Sequence, residues 1–402
     1  MVDPRDPFIE FPCDLDLGMD NGPFSGTILL TEGGELTIRF EEGEIEPHTD
    51  FHKTWNTIEG ESEQGHDVVA EKASLTQHRN FSLTQITPKS VCISKDEDLA
   101  PAEDEKVVVD FDVLCFQPQI PPRNQLDSDT REGIESLSES TDQPTLDIPE
   151  EFELTYIETD DHSAYGVPLV DTTDRKDIIK NDGQKIRTAK IRIKQRIHGD
   201  LTYQVEKASE VANKIIELSQ LVQEVTPRYI RTQIVSIDGT PVDELDAHYE
   251  LLNSGGAANA GARFHQFPDK VLWANFHEYI ETAYQNYTPR VRESLHLRQV
   301  LGYYVDARDP DRPVEGKMLS VCSAIELFAL WHAREDCTSE STGAKIRHLV
   351  EKLDVETEDL AQSVVENLGE LDVPEYFWRR SRNYVSHGDP NVEYEELINS
   401  YE

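Results

Sequence analysis

The spacing of the apolar residues changes along this chain, and that change limits the folds open to it more than any other feature. Up to about residue 120 the pattern is that of β-structure, where side chains alternate between two faces. The clearest instance is Gly26-Thr27-Ile28-Leu29-Leu30-Thr31, then Glu32-Gly33-Gly34-Glu35, then Leu36-Thr37-Ile38-Arg39-Phe40. Two apolar runs around a Gly-Gly turn predict a β-hairpin. Further strands are predicted over 81–86, 90–94, 107–116, 152–157, 186–195 and 228–237. A helix is predicted over 207–225, with Val211, Ile215, Leu218 and Val222 on one face.

Two stretches interrupt this pattern. Residues near 121–150 lose all periodicity and are rich in Pro, Ser, Asp and Glu, which reads as a long surface loop or linker. The run from Ser254 to Gly261 has the glycines of a phosphate loop but not its Gly-Lys-Ser/Thr ending, so it reads as a linker. From about 268 onward the period is helical, with candidate helices at 269–285, 289–304, 314–334, 343–353, 356–368 and 373–387. With 402 residues, the chain is too long for one ordinary core. The expected fold class is α+β and multidomain. A β-rich N-terminal domain over 1–260, with the acidic insert near 121–150, is followed by an all-α helical bundle over 268–402.

Charge narrows the setting. The formal net charge is -41, from 79 acidic and 38 basic residues spread along the chain. Such a surface repels itself in dilute buffer. It suits a salt-rich, haloarchaeal-type interior, where the Debye length is about 3 Å or less. Phosphate affinity normally comes from clustered Lys and Arg. Any nucleic-acid site must therefore be a local basic spot that works through short hydrogen-bonded contacts. The five cysteines, Cys13, Cys92, Cys115, Cys322 and Cys337, show neither a disulfide framework nor a zinc knuckle. The N-terminus lacks a leader pattern and no apolar run reaches bilayer length, so a soluble cytoplasmic protein without membrane contact is expected.

The helix predicted over 373–387 carries the candidate chemistry. Asp372 can cap it, Pro374 suits its first turn, Glu375 complements its dipole and Gly388 suits its end. Phe377, Ser381, Tyr384 and Val385 share an inward face, and Arg379, Asn383 and Ser386 gather opposite. Arg382 and His387 stand at the two borders, and Asn383 and His387 are superposed four residues apart. Cleaving RNA through its 2′-hydroxyl needs a base, an acid for the leaving 5′-oxygen and a cation for the charged phosphorane. Histidine serves as base or acid near neutrality, and arginine offers a permanent charge in a planar fork. Asparagine can orient phosphate or imidazole. Neither a metal nor another cofactor is needed for this chemistry. The bland reading is that Arg-x4-His arises by chance and that a histidine at a helix end meets only the dipole.

The segment Trp378-Arg379-Arg380-Ser381-Arg382-Asn383-Tyr384-Val385-Ser386-His387-Gly388 resembles the signature of HEPN domains, Arg-x4-6-His with Asn commonly after the Arg. Leu319-Ser320-Val321-Cys322-Ser323-Ala324-Ile325-Glu326 and Lys345-Ile346-Arg347-His348-Leu349-Val350-Glu351-Lys352-Leu353 resemble elements of the ApeA-like HEPN subgroup. The β-rich first part resembles the ApeA N-terminal domain, although the insert near 121–150 has no counterpart. The resemblance implies a metal-independent endoribonuclease with Arg382, Asn383 and His387 as catalytic residues and RNA as substrate. It implies a homodimer through the HEPN helices and a role in antiviral, abortive-infection defence. Restraint would come from the N-terminal domain and a trigger from the phage or virus. Arg379 and Arg380 are candidate contacts to RNA phosphates, and Glu326 is a candidate supporting residue.

Two alternatives stand beside this. One is a catalytically silent HEPN module for dimerisation or for RNA or nucleotide binding. The other is the HEPN toxin of a toxin–antitoxin pair. His48 and His52, with Asp50 between them, have metal-like spacing but sit in a Pro-containing polar stretch without a convincing third ligand and read as loop residues. His332 and His348 read as surface or boundary residues, and Trp273, Trp331 and Trp378 as core.

Overall fold

The Gly-Gly turn forms as the sequence requires. β2 (Phe24–Thr31) and β3 (Leu36–Phe40) pair antiparallel with Ile28 opposite Ile38. Gly34 has φ +80°, and a Cβ there would lie 2.7 Å from Leu114 Cδ1 and from Ser254 Oγ, so only glycine fits. This computed structural model describes residues 2–18, 23–40, 54–79, 82–94, 105–116, 153–169, 174–175, 178–179, 184–198, 200–223, 227–242, 249–254, 272–294, 296–308, 312–332 and 342–352.

The hairpin belongs to a closed barrel. β1 (Pro7–Asp16) pairs with β2, and β4 (Thr54–Ser62) pairs with β1. On the other side β3 meets β6 (Ser82–Thr87), β6 meets β5 (Asp67–Arg79), and β5 returns to β4. Fully buried Leu15, Ile28, Leu30, Ile38, Ile58, Val68 and Ile86 come from these six strands. In β1 these buried positions alternate with exposed ones, whereas the end of β2 and the start of β3 are buried continuously around the hairpin.

β5 also pairs with β7 (Ser90–Ser94), and from there an open sheet continues. It runs through β14 (Tyr249–Leu252), β12 (Arg228–Ile237), β8 (Lys106–Leu114), β11 (Arg187–Arg196) and β10 (His162–Pro168) to β9 (Leu154–Glu158). A short strand, β13 (Thr240–Pro241), folds back on β12. Its turn residues Asp238 and Gly239 have φ 47° and 75°, the two positive angles that a type I′ hairpin needs. One face of the open sheet buries Val107, Val109, Phe111 and Val113 of β8 with Ile191 and Ile193 of β11. α1 (Leu201–Gln223) buries Ala208, Val211, Ala212 and Ile215 along its inner face. The Gln195 amide of β11 donates to the Gln204 carbonyl at 2.7 Å and so ties the start of α1 to that face.

The all-α bundle expected over 268–402 is not what the structure shows. The described residues hold fourteen strands, six of them closed into a barrel, and six helices of 6 to 23 residues, with no all-α bundle evident among them. After α1 these helices are α2 (Leu272–Asn286), α3 (Pro289–Ser294), α4 (Leu297–Arg308), α5 (Val314–His332) and α6 (Thr342–Lys352). The helical period correctly located these segments but not their tertiary arrangement. α2 up to Glu281 belongs to the compact unit that contains the sheet, with Phe276 edge-on to Tyr156 of β9 at 5.8 Å. α4 packs on α5 and α5 on α6, where Ala329, Ile346 and Leu349 form a small core with Phe328. The helix expected over 289–304 is broken, because His296 takes a φ of 48° between α3 and α4. The candidate helices at 356–368 and 373–387, and the linker near 121–150, lie outside the described residues.

The described residues divide into two compact units. One holds the sheet, α1 as far as Ile216 and α2 as far as Glu281. The other holds the end of α1 from Glu217, the end of α2 from Thr282, and α3 to α6.

Candidate functional site

Arg379, Arg380, Arg382, Asn383 and His387 lie outside the described residues, as do His48, Asp50 and His52. Glu326 is placed on α5, half-buried, with exposed Leu330 one helical turn further along the same face. His348 is half-buried on α6, and its Nε2 is buried without a hydrogen-bond partner among the described residues. Trp331, expected in a core, is half-buried with its ring 4.4 Å from that of His296.

In the unit that holds α3 to α6, the structure gathers charged groups that the sequence reading did not single out. Glu217, near the end of α1, is buried and accepts a hydrogen bond from the Tyr287 hydroxyl at 2.9 Å. Arg292 of α3 donates to the same carboxylate, and the Arg298 guanidinium of α4 lies 3.4 Å from it. The turn at His296 separates the two arginines, and the His296 carbonyl accepts from the Gln299 and Val300 amides to start α4. Burial, followed by the Glu217 charge, raises the Tyr287 phenol far above its usual range, so it remains a donor. Burial is the largest influence on Arg292 and acts to lower its pKa, but the bond to Glu217, the Glu217 charge and Tyr287 together outweigh it and raise it. One buried carboxylate thus orients two guanidiniums and neutralises one. Chemically this can hold an oxyanion but supplies no proton-transfer group of its own.

The sheet unit holds a larger charged array on the face opposite α1. At its inner end Glu32, in the hairpin turn, accepts from Arg175 at 2.6 Å and from Arg187 at 3.0 Å. Arg187 continues to Asp112 at 3.0 Å, and Arg231 also donates to Asp112. The Phe8 ring lies 4.0 Å from the Arg187 guanidinium. Burial works to raise the Asp112 pKa, and Arg231, Arg187 and Lys190 outweigh it and hold the carboxyl low. Toward β9 the array opens. Arg192 binds buried Asp110 through two bonds of 2.7 and 2.8 Å and reaches Glu153 at 2.9 Å. Lys194 also binds Glu153, at 2.7 Å, and stands 4.5 Å from the centre of the Tyr165 ring. The sequence carried a signal for this end. Residues 185–196 contain six basic residues and no acidic one, in a chain where acids outnumber bases about two to one.

Among the described residues no group of three or more His, Cys, Asp or Glu side chains is placed to hold a metal ion. No described helix is long and apolar enough to cross a membrane. Comparison with family models, with curated proteins and with solved structures gave no match.

Proposed function

We propose that this chain is a metal-independent endoribonuclease whose chemistry is carried by Arg382, Asn383 and His387. The observation that supports this most is the sequence Arg382-Asn383-Tyr384-Val385-Ser386-His387 itself, with its resemblance to the HEPN signature. His387 exchanges the proton of the 2′-hydroxyl or of the leaving oxygen, Arg382 neutralises the phosphorane, and Asn383 orients phosphate or imidazole. Arg379 and Arg380 add phosphate contacts, and Glu326 supports the site. On an ideal helix Arg382 and His387 lie about 140° apart. A homodimer, in which a second copy supplies the missing group, meets that constraint. The antiviral role, the restraint by the N-terminal part and the phage- or virus-derived trigger are proposed on the same resemblance alone, and a cytoplasmic setting is proposed with them.

The full chain, held in concentrated potassium chloride, should cut RNA and leave cyclic phosphate or 3′-phosphate ends. His387→Ala and Arg382→Ala should each abolish cutting with an unchanged circular dichroism spectrum. Wild-type cutting by either variant would remove that residue from the mechanism. Activity lost with EDTA and restored by magnesium would replace the mechanism altogether.

A further inference from the structure

The outward end of the charged sheet face has an excess of cations. Lys190, Arg192, Lys194 and Arg196 occupy alternate positions of β11, while Ala189, Ile191 and Ile193 point into the core. The four cations therefore share one face, about 6.6 Å apart along the strand. Among the described residues two carboxylates make ion pairs with them, Asp110 and Glu153, and Asp112 attracts Lys190 at longer range. Arg192 is saturated by this pair of acids. Lys190 has a loose contact of 3.8 Å to Asp110 beside its longer-range attraction to Asp112, and the Arg196 side chain is exposed. Tyr165 lies opposite Arg192 and Ser163 opposite Lys194 on β10, both half-buried on the same face.

The chain carries a net charge of -41, yet among the described residues this row of four cations makes ion pairs with only two carboxylates. A ladder of cations at a fixed two-residue step fits a linear polyanion with evenly spaced charges, and a scattered acidic protein surface does not offer that regularity. We propose that the Lys190–Arg192–Lys194–Arg196 face of β11 is a docking strip for the phosphate backbone of single-stranded RNA. Asp110 and Glu153 act as positioning residues that hold Arg192 and Lys194 extended. Arg196 and Lys190 make the direct phosphate contacts, and the Ser163 hydroxyl is available as a further donor. Arg196 offers a fork matched to phosphate oxygens, a short contact that survives salt better than long-range attraction. The strip takes RNA as the ligand from the proposed function but does not depend on cleavage.

The test uses the full chain carrying His387→Ala, so that bound RNA is not cut. Binding of a fluorescent single-stranded oligouridylate is followed by anisotropy over a potassium chloride series, within the range where circular dichroism shows a folded protein. Lys190→Gln with Arg196→Ala should flatten the plot of log affinity against log salt by about 0.7 for each cation removed. At about 0.2 M salt the same double variant should bind roughly tenfold more weakly. Lys207→Ala, which removes an exposed cation on α1, should leave both readings unchanged. Equal affinity and slope in the double variant overturn the strip. Stronger binding of polyglutamate than of oligouridylate also overturns it, in favour of an acidic protein partner. If the parent chain with an intact His387 binds RNA through these residues but never cuts it, the strip stands and the cleavage proposal fails.

Discussion

Asp112 in the sheet unit and Glu217 in the helical unit are buried alike, with 1% and 4% of their side chains exposed, and each meets two arginines. The arginines differ. Arg187 and Arg231 are 14% and 9% exposed, whereas Arg292 and Arg298 are 31% and 75% exposed. Around Asp112 the network closes on itself through Glu32, Arg175 and Phe8. Around Glu217 it opens to water. Low dielectric strengthens every attraction in a closed network, and every member then depends on the rest being in place. An open cluster shares its charges with solvent, so its members contribute little singly but remain able to meet a ligand. The same residue types thus act as a clamp in one unit and as a presented pair of cations in the other.

Opening the closed network should have the largest effect. Asp112→Ala leaves the buried Arg231 guanidinium without its carboxylate, while Arg187 keeps Glu32, and breaking such a buried pair costs about 3–5 kcal/mol. Urea unfolding should show that loss. Replacing Asp112 and Arg231 together with Leu and Met should recover much of it, because the stranded charge goes as well. A single-variant loss below about 1 kcal/mol would put Asp112 among exposed pairs and erase the contrast.

Acid sharpens the same comparison. The Asp112 carboxyl is held below its ordinary range. A carboxyl lowered on folding stabilises the native state above its unfolded pKa, and that contribution fades as pH falls through the folded value. The stability gap between wild type and Asp112→Asn should therefore be flat above about pH 5 and narrow below about pH 4. A gap that widens on acidification would mean that Asp112 is protonated in the native state.

Removing the carboxylate of the open cluster should cost less. Glu217→Ala deprives Tyr287 of its acceptor, while both arginines can turn to water, so a loss of about 1–3 kcal/mol is expected. Tyr287→Phe removes one neutral donor from an otherwise intact cluster and should cost about 1 kcal/mol. Thermal unfolding of the two variants side by side gives the order. A larger loss for Tyr287→Phe than for Glu217→Ala would mean that packing, not the carboxylate, holds this cluster.

The two clusters also show what the sequence could and could not reveal. Gly33-Gly34 between apolar runs was readable as a hairpin because turn, register and alternation are local properties. Asp238-Gly239 carries an equally local turn signal. The pairing of Arg231 with Asp112 is different in kind. It spans 119 residues and exists only because β8 and β12 are neighbours in one register. The helical period of 289–304 was real, but no local rule placed the break at His296, where the arginines on either side turn to one distant glutamate. The same limit explains the overturned all-α bundle, since amphipathic spacing does not say which neighbour a helix face will find. The basic run at 185–196 was visible as composition, whereas its gathering on one face required the strand.

The smallest effect should come from Arg298, and it tests the comparison most directly. Its guanidinium is 3.4 Å from Glu217 but mostly exposed. Exposed pairs yield about 0–1 kcal/mol, because water and ions replace the lost partner. Arg298→Ala alone should therefore change unfolding by no more than about 0.5 kcal/mol. A single value that small cannot separate a weak contact from two cancelling effects, so the informative quantity is a coupling energy. In a double-mutant cycle with Glu217→Ala, the Arg298 coupling should stay below about 1 kcal/mol and shrink with added salt. The corresponding cycle for Asp112 and Arg231 should give about 2–3 kcal/mol, with little dependence on salt. Equal couplings in the two cycles, or a salt-independent coupling at Arg298, would show that exposure of the arginines does not separate the clusters.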